Sequence, residues 1–314
     1  MVEVVRGAIN LKAKHRRSVV TIGNFDGVHL GHRKILERLR AKADELKVPT
    51  MLICFEPQPK EFFHAFNAPA RLTRFREKVE LLDQHGIDYV LCFKFDERTR
   101  SMSADSFVDI LVSQIQVSAL FVGDDFRFGA DRGGDFALLS SMGDVHGFQV
   151  TDMFSLTQDD LRVSSTRIRG CLQSGDFAEA ESLLGYPYMI VGKVIHGRRL
   201  GRTIGVPTAN ILLHRYKAPI SGVYAVEGTI VESGNTLYGV ANFGFRPTIE
   251  EEMVVPVLEV HIFNFNENIY GQCLRVTFRK KIRDEKKFSG LDALKEAIMN
   301  DTTVARRFFG LATE

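Results

Sequence analysis

Val19-Val20-Thr21-Ile22-Gly23-Asn24-Phe25-Asp26-Gly27-Val28-His29-Leu30-Gly31-His32 sets the architecture of the first half of the chain. Four apolar or β-branched residues make a short buried strand, a glycine-bearing turn follows, and a helix runs from about Gly31 to Lys47. Within that helix Ile35, Leu36, Leu39, Ala43 and Leu46 share one face, while Lys34, Glu37, Arg38 and Glu45 lie elsewhere. A helix mouth at the end of a strand is a place where backbone N–H groups and the helix dipole favour an anion. His29 and His32 are three positions apart and can both face that spot, while Gly27 and Gly31 let the backbone come close to a ligand. Phosphorus transfer asks a protein mainly for positioning and for electrostatic stabilisation. His29 and His32 are therefore the candidate catalytic pair for attack on a nucleotide α-phosphate with loss of pyrophosphate, and Gly23, Asn24, Phe25 and Gly31 are candidate nucleotide contacts.

Outward from this unit the α/β texture continues. Thr50 to Phe55, Tyr89 to Phe95, Ala119 to Val122 and Phe148 to Phe154 read as further buried strands. Thr73 reads as the N-cap of a helix carrying Val79 and Leu82, with Gly86 as its stop. Short apolar strands alternating with helices predict a parallel sheet covered on both faces. Two short helices follow Ser164, ending at Gly175 and Gly185. After Tyr186-Pro187 the texture changes: Met189 to Ile195, Val223 to Val231, Leu237 to Asn242, Val257 to Phe263 and Leu274 to Phe278 read as strands with no helix between them. That pattern predicts an antiparallel sheet or barrel, followed by helical stretches at Leu291 to Asn300 and Val304 to Phe309. The expected division is 1–186 and 187–314.

A chain of 314 residues is comfortable for two cores, and the 41 basic and 39 acidic residues nearly cancel. So even a balance argues against a dedicated nucleic-acid binder. Arg279-Lys280-Lys281 reads as a solvated run at a strand end. Cys54, Cys92, Cys171 and Cys273 are far apart, which argues against zinc and against a disulfide framework. The N-terminus lacks the apolar core of a signal peptide, and no apolar run approaches the roughly 18 residues of a membrane span, so the reading is cytoplasmic, with no membrane partner. No motif specifies self-association.

Three more constellations carry chemistry. Arg162-Val163-Ser164-Ser165-Thr166-Arg167-Ile168-Arg169 sets hydroxyls beside arginines at a helix start, which suits a phosphate clamp from Arg162, Ser164, Ser165, Thr166 and Arg169, though Ser-Ser-Thr is also an ordinary helix cap. Gly123-Asp124-Asp125-Phe126-Arg127-Phe128-Gly129 follows a strand at a carboxyl edge, where open α/β sheets bind ligands; Phe126 and Phe128 suit the core equally well. Gly201-Arg202-Thr203-Ile204-Gly205-Val206-Pro207-Thr208-Ala209-Asn210 supplies two glycines for a phosphate cradle. No G-x-x-x-x-G-K-[ST] occurs anywhere in the chain. Thr208 and Asn210 bring hard oxygens suited to Mg²⁺ held together with phosphates, yet Pro-Thr-Ala-Asn alone also reads as a turn. Strand alternation puts Leu258, Val260 and Ile262 on one face and Glu259 and His261 on the other. There Glu259 is either a solvated glutamate or a carboxylate able to accept the proton of an attacking hydroxyl.

In order, these segments resemble the bacterial bifunctional riboflavin kinase/FAD synthetases over essentially the whole chain. The resemblance extends to Gly239-Val240-Ala241-Asn242-Phe243-Gly244-Phe245-Arg246-Pro247-Thr248, Tyr270-Gly271 and Lys281-Ile282-Arg283-Asp284-Glu285-Lys286-Lys287-Phe288. It implies a Rossmann-like nucleotidyltransferase domain that moves AMP from ATP onto FMN, with His29 and His32 stabilising the transferring phosphate. Asp125 would then lie in the flavin and nucleotide pocket, and Arg162, Ser165, Thr166 and Arg169 in the phosphate segment. It further implies a six-stranded barrel that phosphorylates riboflavin. In that barrel Gly201, Arg202, Gly205 and Pro207 would contact the nucleotide, Thr208 and Asn210 would hold Mg²⁺, and Glu259 would be the general base. ATP, riboflavin and FMN are the implied substrates. Gln58 stands where many members carry histidine, and Asp125 where many carry asparagine. Competing readings are a cytidylyltransferase-type enzyme with another phosphate acceptor and a non-catalytic flavin or nucleotide sensor.

Overall fold

A computed structural model describes residues 1–64, 67–123, 126–130, 132–153, 157–158, 161–197, 205–215, 217–247 and 254–312. The packing divides them into two compact units, Met1–Pro69 with Thr73–Ser164, and Ala70–Leu72 with Ser165–Glu314.

The first unit is built on a parallel sheet of β1 (Glu3–Arg6), β2 (Val19–Ile22), β3 (Thr50–Glu56), β4 (Tyr89–Lys94), β5 (Ala119–Val122) and β6 (Gln149–Asp152), in the order β1-β4-β3-β2-β5-β6. All four residues of β2 and of β5 are buried, as a strand covered on both faces demands. The helices are α1 (Leu30–Leu46), α2 (Pro59–Phe63), α3 (Phe75–Gln84), α4 (Glu97–Arg100), α5 (Ala104–Asp109) and α6 (Phe136–His146). The chain runs from β2 outward through β3 and β4 on one side, then returns to add β5 and β6 on the other. The strand order thus reverses at β2, and the crevice beyond its carboxyl end is where open α/β sheets take their ligands. The turn that leads to His29 at the N-cap of α1, and on to His32 in its first helical turn, leaves β2 at that end.

α1 buries Leu36, Leu39 and Ala43 as its periodicity predicts, whereas Leu46, expected on the same face, is 38% exposed in the last turn. β1 escaped the sequence reading because Glu3-Val4-Val5-Arg6 has only two apolar residues between charges, unlike the unbroken apolar or β-branched runs of β2 and β5. Thr73 is not a helix cap: α3 starts after Arg74, whose backbone N–H donates to Glu77, and Thr73 is committed elsewhere.

The second unit opens with α7 (Ser165–Ser174) and α8 (Phe177–Leu184). β9 (Met189–Ile195), β10 (Ala209–Leu212), β11 (Gly222–Ile230), β12 (Thr236–Pro247), β13 (Val254–Ile262) and β14 (Cys273–Arg283) form a closed antiparallel barrel in the order β10-β13-β12-β11-β14-β9, with β9 returning to pair β10. The expected change of texture at residue 186 coincides with the approach to β9. The two helices before it nevertheless pack with the barrel: the Phe177 ring sits 5.6 Å from Tyr224 and 6.3 Å from Phe278. β10 was not expected as a strand, since Pro-Thr-Ala-Asn carries a turn signature.

Arg279-Lys280-Lys281 corrects another expectation. It lies inside β14 rather than at its end, and Arg279 is ion-paired with Glu227 at 2.9 Å and Glu181 at 3.4 Å. The two helical stretches expected near the C-terminus are one helix, α9 (Leu291–Phe308). Asp301-Thr302-Thr303 is a poor helical run by propensity. Tertiary contacts override it: Asp301 is 2% exposed and accepts a bidentate pair from Arg283 at 2.8–3.1 Å, while Ala305 is fully buried. Asp301→Asn should cost the second unit about 2 kcal/mol, read as a lower urea midpoint with an unchanged slope.

Candidate active site

The turn after β2 is shaped by a small buried network. The Asp26 carboxylate, 4% exposed, accepts the Thr73 backbone N–H at 3.0 Å and its hydroxyl at 3.3 Å, and the Thr73 hydroxyl oxygen accepts the Gly27 N–H at 3.0 Å. Phe25, at φ 47°, and Val28, at φ 37°, are held in the left-handed region that side chains avoid, so the turn is fixed by its surroundings rather than by preference.

His29 is the N-cap of α1. Its Nδ1 accepts the His32 backbone N–H at 3.3 Å, so the neutral ring carries its proton on Nε2 and presents a donor. A side chain on Gly31 would place its Cβ 3.1 Å from the His29 ring, tighter than ordinary contact; the absent side chain leaves the imidazole room to fold onto the helix mouth. The His29 and His32 rings stack at 3.6 Å with 15° between planes, and Phe25 backs His32 at 4.7 Å. His32 Nδ1 is sealed from solvent and meets no hydrogen-bond partner among the described residues, a costly state for a polar atom. Burial pushes the His32 imidazole well below its ordinary value, and His29, Lys78 and Arg162 push it the same way. His32 is therefore neutral at physiological pH.

Two features here escaped the sequence. Lys78, which reads as one charge among several on a polar helix, is 2% exposed and donates to the Asn24 carbonyl at 3.1 Å. Phe62, Phe63 and Phe95 pack edge-to-face beyond the carboxyl ends of β3 and β4, with Phe62 and Phe63 37% and 51% exposed. They make an aromatic shelf suited to a flat ring system. Gln58 caps α2 there, its backbone N–H donating to Glu61 at 2.9 Å. Phe128 is buried with Phe107 in the core and Phe126 packs against it. Asp125 lies outside the described residues. Arg162 ends β8 (Leu161–Arg162), which pairs with β7 (Thr157–Gln158), and Ser164 closes the first unit; Ser165, Thr166 and Arg169 lie on α7 in the second unit.

The barrel carries a second constellation. Asn210 on β10 stands opposite Glu259 on β13, and Glu259 stands opposite Asn242 on β12, so three oxygen-bearing side chains form a row across adjacent strands. Leu258, Val260 and Ile262 are buried on the alternate face, as strand period requires. Asn210 is 8% exposed and lies against Gly197, where any Cβ would come within 2.2 Å of the amide nitrogen. The Pro207 carbonyl meets His261 Nδ1 at 2.9 Å, which pins the segment leading to Thr208. Thr208, Pro207 and Gly205 line a cavity of about 670 Å³ together with His196 and Tyr270, whose rings lie 3.9 Å apart with 34° between their planes. Gly201 and Arg202 lie outside the described residues. Among the described residues no cluster of three His, Cys, Asp or Glu could hold a metal. Asn210 stands opposite the Glu259 carboxylate and Thr208 lies two residues before it in the chain; hydroxyl, amide and carboxylate oxygens are hard donors of the kind Mg²⁺ takes together with phosphates and water.

Two family models match the chain, FAD synthetase over residues 11–167 and riboflavin kinase over residues 184–309. A bifunctional riboflavin kinase/FMN adenylyltransferase of Escherichia coli (strain K12) is 48% identical across 98% of both chains. The chain belongs to the bifunctional riboflavin kinase/FMN adenylyltransferase family. A member from Haemophilus influenzae is 49% identical over 98% of this chain and 99% of its own. A crystal structure of a macrolide-efflux protein from Streptococcus pneumoniae has a TM-score of 0.79 at 28% identity, covering 97% of this chain and 98% of that one. Among the described residues no helix is long and apolar enough to cross a membrane. In the terms of the family, the histidine turn lies inside the FAD synthetase match and the Asn210–Glu259–Asn242 row inside the riboflavin kinase match.

The depressed His32 value has a thermodynamic consequence. An unfolded imidazole takes up its proton near its ordinary value of 6.5 while folded His32 stays neutral, so the folded state loses stability as pH falls below about 6.5. Calorimetric melts across an acid series should fall less steeply for His32→Asn than for the natural chain; equal slopes would refute the assignment.

Proposed function

We propose that this bifunctional riboflavin kinase/FMN adenylyltransferase carries out its two reactions at the two constellations described, each with ATP as donor. The observation that carries the first assignment is the stacked imidazole pair at the mouth of α1, with one buried ring nitrogen that meets no hydrogen-bond partner among the described residues. A phosphate oxygen seated there would give that nitrogen a hydrogen bond and would face the opening N–H groups of the helix. In adenylyl transfer an FMN phosphate oxygen attacks the ATP α-phosphorus, the bond to the β-phosphate oxygen breaks, and pyrophosphate leaves with the electron pair. His29 Nε2–H and His32 stabilise the charge that grows on the α-phosphoryl oxygens, with no proton removed from the attacking phosphate. Arg162 and Ser164 are assigned to the departing phosphates. Gly23, Asn24 and Phe25 shape the nucleotide side of the turn, and Gly31 leaves space for the His29 ring. The shelf of Phe62, Phe63 and Phe95 at the same sheet edge supports an isoalloxazine ring in this unit.

In the barrel we assign Glu259 as general base toward the ribityl 5′-hydroxyl of riboflavin, whose oxygen attacks the γ-phosphorus while ADP leaves. Thr208 and Asn210 would hold Mg²⁺ with the ATP phosphates, where the ion neutralises charge on the transferring group. Gly205 and Pro207, with the cavity beside them, are assigned to the nucleotide. Dependence on ATP in both steps supports a cytoplasmic place of action. The competing sensor reading gives no reason for a carboxylate aligned with two asparagines across three strands.

Separability is the test. His32→Asn should lower FAD formation from FMN and ATP by about 100-fold or more and leave FMN formation within about twofold of normal. Glu259→Gln should do the reverse, with FAD still made when FMN is supplied. Chromatography of the flavins reads both rates, and one substitution abolishing both activities in a folded chain would overturn the assignment.

A further inference from the structure

Lys78 is as sealed as a core leucine, at 2% exposure, yet it carries an ammonium group in the middle of α3. Buried cations lose several kcal/mol of hydration and are retained where something ionic meets them. Among the described residues Lys78 makes no ion pair; its Nζ donates to the Asn24 carbonyl at 3.1 Å and lies 5.6 Å from the centre of the Phe75 ring. Glu77 and Asp26 are engaged elsewhere, Glu77 with Arg74 at 3.1 Å and Asp26 with Thr73, while Glu56, which like Lys78 acts electrostatically on Cys92, has a buried Oε2. Asn24 begins the turn that carries Phe25, in the left-handed region, and Phe25 backs His32. The charges that face His32 are His29 from its own turn, Lys78 from α3 and Arg162 from β8, and all of them oppose its protonation.

We infer that Lys78 is a positioning residue of the adenylyl-transfer site, whose ammonium pins the Asn24–Phe25 turn and sets a fixed positive charge beside the imidazole pair for an incoming polyphosphate. This rests on the reading of His29 and His32 given above. A neutral side chain of similar length keeps the shape of α3 but removes the charge, so His32 would bind a proton more readily and the pocket would attract ATP phosphates less.

Lys78→Gln, which can still donate to the Asn24 carbonyl, and Lys78→Met, which cannot, test it in the full chain. Both should lower kcat for FAD formation from FMN and ATP by at least about tenfold, with a smaller change in KM for FMN and with FMN formation within about twofold of the natural chain. The His32 imidazole titration, followed by NMR, should move to higher pH in both. Natural FAD formation with an unmoved His32 titration in Lys78→Gln overturns the inference. If both neutral variants lose the calorimetric transition of the first unit, Lys78→Arg decides, because it keeps the charge: a raised His32 titration there overturns the inference and an unmoved one supports it. Natural chain that makes no FAD from FMN and ATP sinks the underlying reading instead, which separates the two failures.

Discussion

A single buried carboxylate organises the first unit's chemistry. Asp26 ties the turn after β2 to Thr73 just before α3, and Thr73 in turn holds the Gly27 N–H. Without that lock two non-glycine residues at positive φ would relax, and the helix that begins at Leu30 would lose its aim. With it, His29 is delivered to the N-cap, His32 stacks on His29, and both rings lie where the sheet's strand order reverses. The reactive geometry is thus a consequence of how a strand hands over to a helix, and of one threonine remote in sequence.

On the reading proposed above, the two units would meet the same requirement, a grip on phosphate, with different physics. The first would use a neutral His32 stacked on His29, helix N–H groups and nearby positive charge, which suits a reaction whose attacking group is already an anion. The second aligns a carboxylate with amide oxygens, which suits a reaction whose nucleophile is a hydroxyl that must give up a proton. His32, with its Nδ1 sealed from solvent and positive charge beside it, cannot readily take that proton, and a lone carboxylate would repel an incoming phosphate. The assignment of nucleophiles follows from the side chains rather than from order along the chain.

Much of this was legible before any coordinates. β2 and α1 announce themselves through an apolar run followed by a 3.6-residue period, and the barrel strands through alternation. What stayed hidden was decided by tertiary contact. β1 has only two apolar residues between Glu3 and Arg6, and β10 begins within a turn-like Pro-Thr-Ala-Asn. α9 continues through Asp301-Thr302-Thr303 because Arg283, distant in sequence, supplies the partner for Asp301. Lys78 sits in Arg76-Glu77-Lys78-Val79-Glu80, indistinguishable by composition from a solvated helix face, and only its burial singles it out. Of the site residues, the histidines were visible through their spacing. The partnership of Glu259 with Asn210 and Asn242 needed the strand register, which no local pattern encodes.

That register turns the barrel wall into a ruler. Neighbouring strands stand about 4.8 Å apart, so Asn210, Glu259 and Asn242 mark three graduations over about 10 Å that backbone hydrogen bonding keeps constant. The wall closes on itself and has no free edge along which a strand could slip. Substrates of different size must therefore be accommodated by the connections between strands, because the graduations themselves cannot stretch.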